Sequence, residues 1–165
     1  MIARPMRLHR FYITEQIGSR EGVSVVSDEL SGQIGKVFRL KTGDGVILFD
    51  GSGSDYECEI AAIDKRSVTF KVVSKLPSRF MPKRRVSLYA AIVKKDNFEF
   101  IVEKATELGV TDIIPVLAER TEKKALNEER LKKIAVEASE QSGRGDVPKV
   151  RGIISLEESI LDAKK

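Results

Sequence analysis

The feature that most constrains this chain is a change of period partway along it. Up to "VTFKVVS" apolar residues mostly alternate with polar ones, the two-residue repeat of half-buried strands. Beyond "KLPSRFMPKRR", with two prolines and five cations, short apolar runs alternate with segments whose apolar residues recur every three or four positions. Strands followed by a strand–helix alternation bury their apolar faces in different layer architectures. Two domains are therefore predicted within the 165 residues: a β domain over 1–76, a linker over 77–84, and an α/β domain over 85–165.

In the first part, Tyr56, Cys58, Ile60 and Ala62 alternate with charged or small residues, and Val68, Phe70 and Val72 do so after the turn "DKRS". The run "VILFD" precedes them across "GSGSD". A phosphate-binding glycine loop would open a helix, whereas a strand follows here, so "GSGS" is expected to be a hairpin turn. In "SDELSGQIGKVFRL", Leu30, Ile34, Val37 and Phe38 fall at helical spacing behind Ser27, which predicts one short capped helix plugging or flanking a small β-barrel.

The second part opens with "VSLYAAIV", an apolar run suited to a strand covered on both faces. A helix is expected next, with Phe98, Ile101, Val102, Ala105 and Leu108 on its apolar face, Asp96 and Glu99 as a capping box, and Gly109 at its stop. In the strand "VTDIIPVLAERT", Pro115 has no N–H to give to a ladder and is expected at an edge, an end or a bulge. Asn127 caps a second helix with the stripe Leu131, Ile134, Ala135 and Ala138, stopped by Gly143; "KVRGII" is a third strand, and Ser155 with Glu158 opens a last helix. The order βαβαβα implies a parallel sheet with right-handed crossovers. It is thin at three strands, and none of its strand-to-helix turns carries a glycine-rich cofactor loop.

Charge and composition narrow the function classes. Apolar residues make up 41% and charged residues 33%, with no apolar tract long enough to cross a membrane and no signal-peptide core, so a soluble cytoplasmic protein without a membrane partner is expected. A single cysteine, Cys58, and a single histidine, His9, argue against zinc or other metal chemistry. The net charge of +4 divides as +1 over 1–78 and +3 over 79–165, so neither part is strongly basic and local clusters matter more than the total. These are Arg4, Arg7 and Arg10; Lys36, Arg39 and Lys41; and Arg79, Lys83, Arg84 and Arg85. For each, contact with a polyanion stands beside a solvated surface. His9, among arginines, is open to RNA contact or structural pairing.

Three segments in order, "QIGKVFRLKTGDGVILFDGSG", "EFIVEKATELGVTDIIPVLAERT" and "AVEASEQSGRGDVPKV", after an opening "HRFYI", closely resemble the bacterial small-subunit rRNA uridine-N3 methyltransferases, the RsmE family. The resemblance covers essentially the whole chain. It implies a PUA-like barrel that binds RNA, followed by an α/β domain of the SPOUT type whose C-terminal part forms a knot, binds S-adenosylmethionine as methyl donor and makes a homodimer. The family continues past the equivalent of Lys165 with a Gly-Pro-Glu-Gly-Gly loop and a Leu-Arg-x-Glu-Thr segment that build the knot and cofactor pocket. The α/β domain is accordingly expected to be incomplete here, with no cofactor-binding residue within the chain. Gln33 stands where the family commonly has histidine.

Methylating N3 of uridine requires loss of the imide proton, alignment with an electrophilic methyl group and stabilisation of the anion. On the resemblance, Glu140, Gln141 and Arg144 of the polar ending "EASEQSGR", with Arg120, are the candidate catalytic residues; the pairs Lys104/Glu107 and Glu119/Arg120 are second in rank. Each has a plainer reading: Lys104 and Glu107 as a surface ion pair, Arg144 as a cation on terminal helix carbonyls. Arg7, Arg10, Lys36, Arg39 and Arg84 are the candidate contacts to small-subunit rRNA or the assembled subunit, read chiefly by shape because few exposed aromatics are evident for base stacking. The implied activity is methylation of a small-subunit rRNA uridine, for which the chain alone is expected to be inactive. The alternative is a noncatalytic RNA-binding or assembly protein.

Overall fold

The structure, a computed structural model, describes residues 8–119, 121 and 125–164. Arg7 and Arg120 lie outside the described residues. The chain divides into two compact units, Met1–Arg79 and Phe80–Lys165.

In the first unit β1 (His9–Tyr12), β2 (Gly22–Val26), β3 (Gly45–Phe49), β4 (Ser54–Ile63) and β5 (Ser67–Pro77) form one sheet in the order β1-β3-β4-β5-β2. Only β1 and β3 run parallel. A single, largely antiparallel sheet agrees with the β domain expected; among the described residues no ladder joins β1 to β2, so the hydrogen-bonded path is open rather than the closed barrel expected. The predicted alternation holds for Tyr56, Cys58 and Ile60, all buried. A bulge between Ile60 and Ala62 then shifts the phase, leaving Ala62 half-buried and packing Ile63 on the core. Burial also pushes the Cys58 thiol up to about 11, so Cys58 is an inert strand residue.

The helix behind Ser27 is capped as expected, the serine oxygen accepting from the Leu30 N–H. α1 (Asp28–Gly32) continues directly into a π-helical turn over Gln33–Val37, closed by the Phe38 N–H donating to the Gln33 carbonyl. The wider turn rotates the side chains that follow it. Leu30 and Ile34 are buried, but Val37 is 70% exposed and Phe38 36%, so the apolar face expected to run through Val37 and Phe38 stops at Ile34. The "GSGS" segment is the β3–β4 hairpin, with Gly51 and Gly53 both at positive φ. Beside it the buried Asp50 carboxylate accepts the N–H groups of Ile17 (2.9 Å) and Ser52 (3.0 Å). Burial pushes its pKa up, but the hydrogen bonds from Ser52 and Ile17 outweigh this and hold it below the usual carboxylate value.

The second unit contains β6 (Ser87–Ala91), α2 (Lys95–Glu107), β7 (Asp112–Leu117), α3 (Glu128–Ser142), β8 (Lys149–Val150), β9 (Ile154–Ser155) and α4 (Leu156–Asp162). The sheet is parallel, with β7 between β6 and the pair β8 and β9. Pro115 is thus in a central strand, not at an edge. The Thr111 and Ile113 carbonyls accept from the N–H groups of Lys149 and Arg151; continuing that alternation, Pro115 faces the same side with no N–H to give. The third strand breaks there into β8, paired with Asp112 and Ile113 of β7, and β9, which rejoins β7 at Val116 and Leu117.

Asn127 caps α3 by accepting from the Arg130 N–H, and Ser155 with Glu158 forms the expected capping box. The cap of α2 differs from expectation: the helix begins two residues earlier, Lys94 occupies the cap position without a side-chain bond, and Asp96 lies within the first turn. Phe98, Val102 and Ala105 from α2 meet Leu131, Ile134 and Ala135 from α3 and Ala90 and Ile113 from the sheet in one core. Truncating a buried residue such as Leu131 to alanine would cost about 2–5 kcal/mol. Leu108, expected on the same apolar face, falls past the last turn of α2 and is 85% exposed.

Candidate functional site

The polar ending of α3 resolves into side chains with different surroundings. Gly143 takes the left-handed conformation (φ 80°) that terminates the helix, and the backbone turns so that Arg144 is directed inward. Its guanidinium is buried. Nη1 donates to the Thr106 carbonyl (2.7 Å) and the Val110 carbonyl (2.8 Å), while Nε and Nη2 hold Asp146 at 3.0 and 2.8 Å. One side chain therefore ties the end of α2, the approach to β7 and the loop after α3. The carbonyls that Arg144 meets belong to the end of α2 and the segment after it, not to the end of α3 as in its plainer reading.

Gln141 is exposed and lines a groove of about 430 Å³ between α2 and α3, together with Asp96, Glu99, Phe100, Glu103 and Arg130. Carboxylates dominate that groove, which suits a polyanion poorly. Gln141 and Arg144 therefore do not converge; Glu140 is half-buried on the same turn. Lys104 is held by Glu103 (2.8 Å) and Glu107 (2.9 Å), and these hydrogen bonds raise its pKa, the surface ion pair that was the plainer reading. Glu119 is exposed.

Among the predicted RNA contacts of the first unit, Arg10 is turned inward. It pairs with both oxygens of Asp55, and its guanidinium carbon lies 4.9 Å from the centre of the Phe49 ring. Lys36 and Arg39 are exposed at the end of the π-helical turn, and among the described residues neither makes an ion pair. Arg39 is the one non-glycine residue at positive φ (56°) among the described residues. Between these two cations stand Val37 and Phe38. The His9 ring lies 4.2 Å from that of Phe38, tilted by 43°, and Phe38 in turn meets the buried Phe11 edge-on at 5.6 Å. Sequence reasoning missed this ring pair because nothing in "GKVFRL" announces the π turn that brings Phe38 out beside β1. Arg84 is exposed in the second unit.

No group of three or more His, Cys, Asp or Glu is placed to hold a metal ion among the described residues.

Comparison with known proteins places this geometry. An RNA methyltransferase PUA domain family matches residues 34–73, and an RNA methyltransferase domain family matches 81–165, just over half of the chain. The chain is 31% identical to the ribosomal RNA small subunit methyltransferase E of Bacillus subtilis over 92% of its own length, and 30% identical to that of Rickettsia conorii over 93%. It spans about 62% of each of these relatives. Among solved structures it superposes on a ribosomal RNA small subunit methyltransferase E from Neisseria gonorrhoeae bound to S-adenosyl methionine, with a TM-score of 0.85, 28% identity, and coverage of 93% of this chain and 64% of that one. A Legionella pneumophila methyltransferase in complex with the same cofactor gives 0.86 at 28% identity, covering 97% and 68%.

Proposed function

We propose, from the premise that this chain belongs to the RNA methyltransferase family of the RsmE type, that it supplies RNA recognition and part of the catalytic domain for methylation of small-subunit ribosomal RNA. The observation that carries the reading is the order of the two family matches, a PUA domain on the five-stranded unit and a methyltransferase domain on the parallel-sheet unit, with structural likeness at 0.85 to a protein of that name. The methyl donor is S-adenosylmethionine, the group held by two of the structural neighbours. The methylated atom is N3 of a uridine, the enzyme works in the cytoplasm where ribosomes are assembled, and it acts as a homodimer.

In this reading the first unit and its exposed cations Lys36 and Arg39, with Arg84, contact RNA phosphates. Arg144 acts as scaffold by fixing the end of α2 against the loop after α3, and Gln141 and Glu140 are the remaining candidates on that turn for contact with substrate. The donor's contacts come from elsewhere than the described residues. The alternative is an RNA-binding or assembly protein without catalysis.

The test pairs two measurements on the 165-residue chain: retention of small-subunit rRNA across a salt series, and calorimetric titration of S-adenosylmethionine. RNA binding that weakens steeply with salt, without heat from the cofactor, is the expected result. Loss of RNA binding even at low salt would overturn RNA recognition. Cofactor binding would put the pocket within this chain and require the second unit to be reinterpreted.

A further inference from the structure

The corner formed by the π-helical turn and β1 holds three features that ordinary packing does not call for. The α-helix widens into a π turn over Gln33–Val37, a device that interrupts the helical ladder and recurs at functional sites. Immediately after it, Arg39 holds the left-handed conformation (φ 56°) that an L side chain adopts only at a cost. Between the two, Val37 and Phe38 are presented to solvent, with the exposed His9 ring against Phe38. A helix that continued in α geometry would have turned Phe38 elsewhere, and a glycine at position 39 would have made the same turn without strain.

We infer that His9 and Phe38 form a stacking platform for an unpaired nucleobase of RNA, with Lys36 and Arg39 holding the phosphates on either side of it. The inference rests on the reading of the first unit as RNA-binding and assigns it a chemistry beyond shape recognition. The ring of Phe38 is braced from beneath by the buried edge of Phe11 at 5.6 Å, so it is fixed in place before RNA arrives. Both flanking cations are exposed and make no ion pair among the described residues, so their charge is available to a backbone phosphate. A base stacked on an aromatic ring with cations beside it is the arrangement by which single-stranded segments are held, and it is tolerant of base identity because every base has a π face. A paired base within a helix has no face to offer, so the platform selects loops and bulges over duplex.

The chain contains no tryptophan, so Phe38→Trp introduces a single fluorescent reporter at the platform. Three probes are used: a hairpin RNA with an unpaired uridine loop, the same hairpin with an abasic loop, and a fully paired duplex. Tryptophan emission is expected to be quenched by the uridine loop and by neither of the others. Phe38→Leu, which keeps apolar contact with Phe11, is expected to weaken binding of the uridine loop by about five- to a hundredfold while leaving the slope of affinity against salt unchanged. Lys36→Ala is expected to reduce that slope by about one phosphate contact for all three probes. Circular dichroism on each variant confirms that the sheet is intact. Salt-dependent binding of all three probes with no quenching, and Phe38→Leu binding as wild type, would overturn the platform while leaving RNA recognition by the unit in place. Absence of binding to any probe at low salt would overturn both.

Discussion

Two helix endings in this molecule, "GKVFRL" in the first unit and "EQSGR" in the second, share a glycine and a following arginine but have opposite geometry. Each closes a helix, each carries a cation just beyond it, and each turns through a left-handed backbone position there. In the second unit glycine takes the left-handed position, at Gly143, and Arg144 follows it inward to bury its guanidinium on two carbonyls and a carboxylate. In the first unit the cation takes the left-handed position itself, at Arg39, and stays in solvent. An arginine after a helix is thus a structural tie or a surface contact according to which residue absorbs the turn.

The largest expected effect tests the inward ending. Arg144→Ala removes a buried cation and leaves the Thr106 and Val110 carbonyls and Asp146 without it, a loss of about 3–5 kcal/mol for breaking a buried, hydrogen-bonded pair. Urea denaturation followed by circular dichroism measures it. Arg144→Lys keeps the charge but not the fork that reaches both carbonyls and both Asp146 oxygens, and is expected to recover less than half of the loss. A folded Arg144→Ala chain of wild-type stability would show that the tie is dispensable and would return Arg144 to the catalytic candidates.

A smaller effect tests the first unit's own buried charge. Asp50 holds the N–H groups of Ile17 and Ser52, and Asp50→Ala leaves both without a partner, at about 1–3 kcal/mol near neutral pH. Because the folded-state pKa of Asp50 lies below its unfolded value, its contribution is fully present above about pH 4 and is lost as pH falls through the folded value. Asp112 in the second unit has the same sign, held down chiefly by its hydrogen bond from Arg85. Acid titration of stability is therefore expected to flatten in part with Asp50→Asn and in part with Asp112→Asn. A wild-type acid profile in both variants would assign acid sensitivity to other carboxylates.

Much of this architecture was legible because its causes are local. Ser27, Asn127 and Ser155 cap helices through oxygens that must lie within three residues of their partners, and the alternation in β4 and β5 reports burial directly. The misplaced readings have causes that are not local. The split of β8 from β9 opposite Pro115 and the inward turn of Arg144 each depend on a neighbour distant in sequence, and the π turn that exposes Phe38 has no sequence signature of its own. Site residues suffered most. A cation reads alike whether it meets water, as Arg39 does, or a carboxylate 45 positions away, as Arg10 meets Asp55.

The smallest effects fall on the outward ending, where two substitutions of one residue separate its charge from its backbone. Arg39→Ala removes the guanidinium but keeps a Cβ in the left-handed conformation, so stability should stay within about 0.5 kcal/mol of wild type. Arg39→Gly removes the same charge and also the left-handed penalty of roughly 1–2 kcal/mol, part of which glycine's freer unfolded chain takes back, for a net gain of about 0.5–1 kcal/mol. Both variants should lower the salt slope of RNA binding by about one contact. If the turn is strained to aim Arg39 at RNA, Arg39→Gly is the more stable protein and the weaker binder, a trade that a merely structural turn would not show. Equal stability of the two variants would mean that the surrounding sheet, and not the side chain, sets the backbone there, and would remove strain from the reasons for reading this corner as a site.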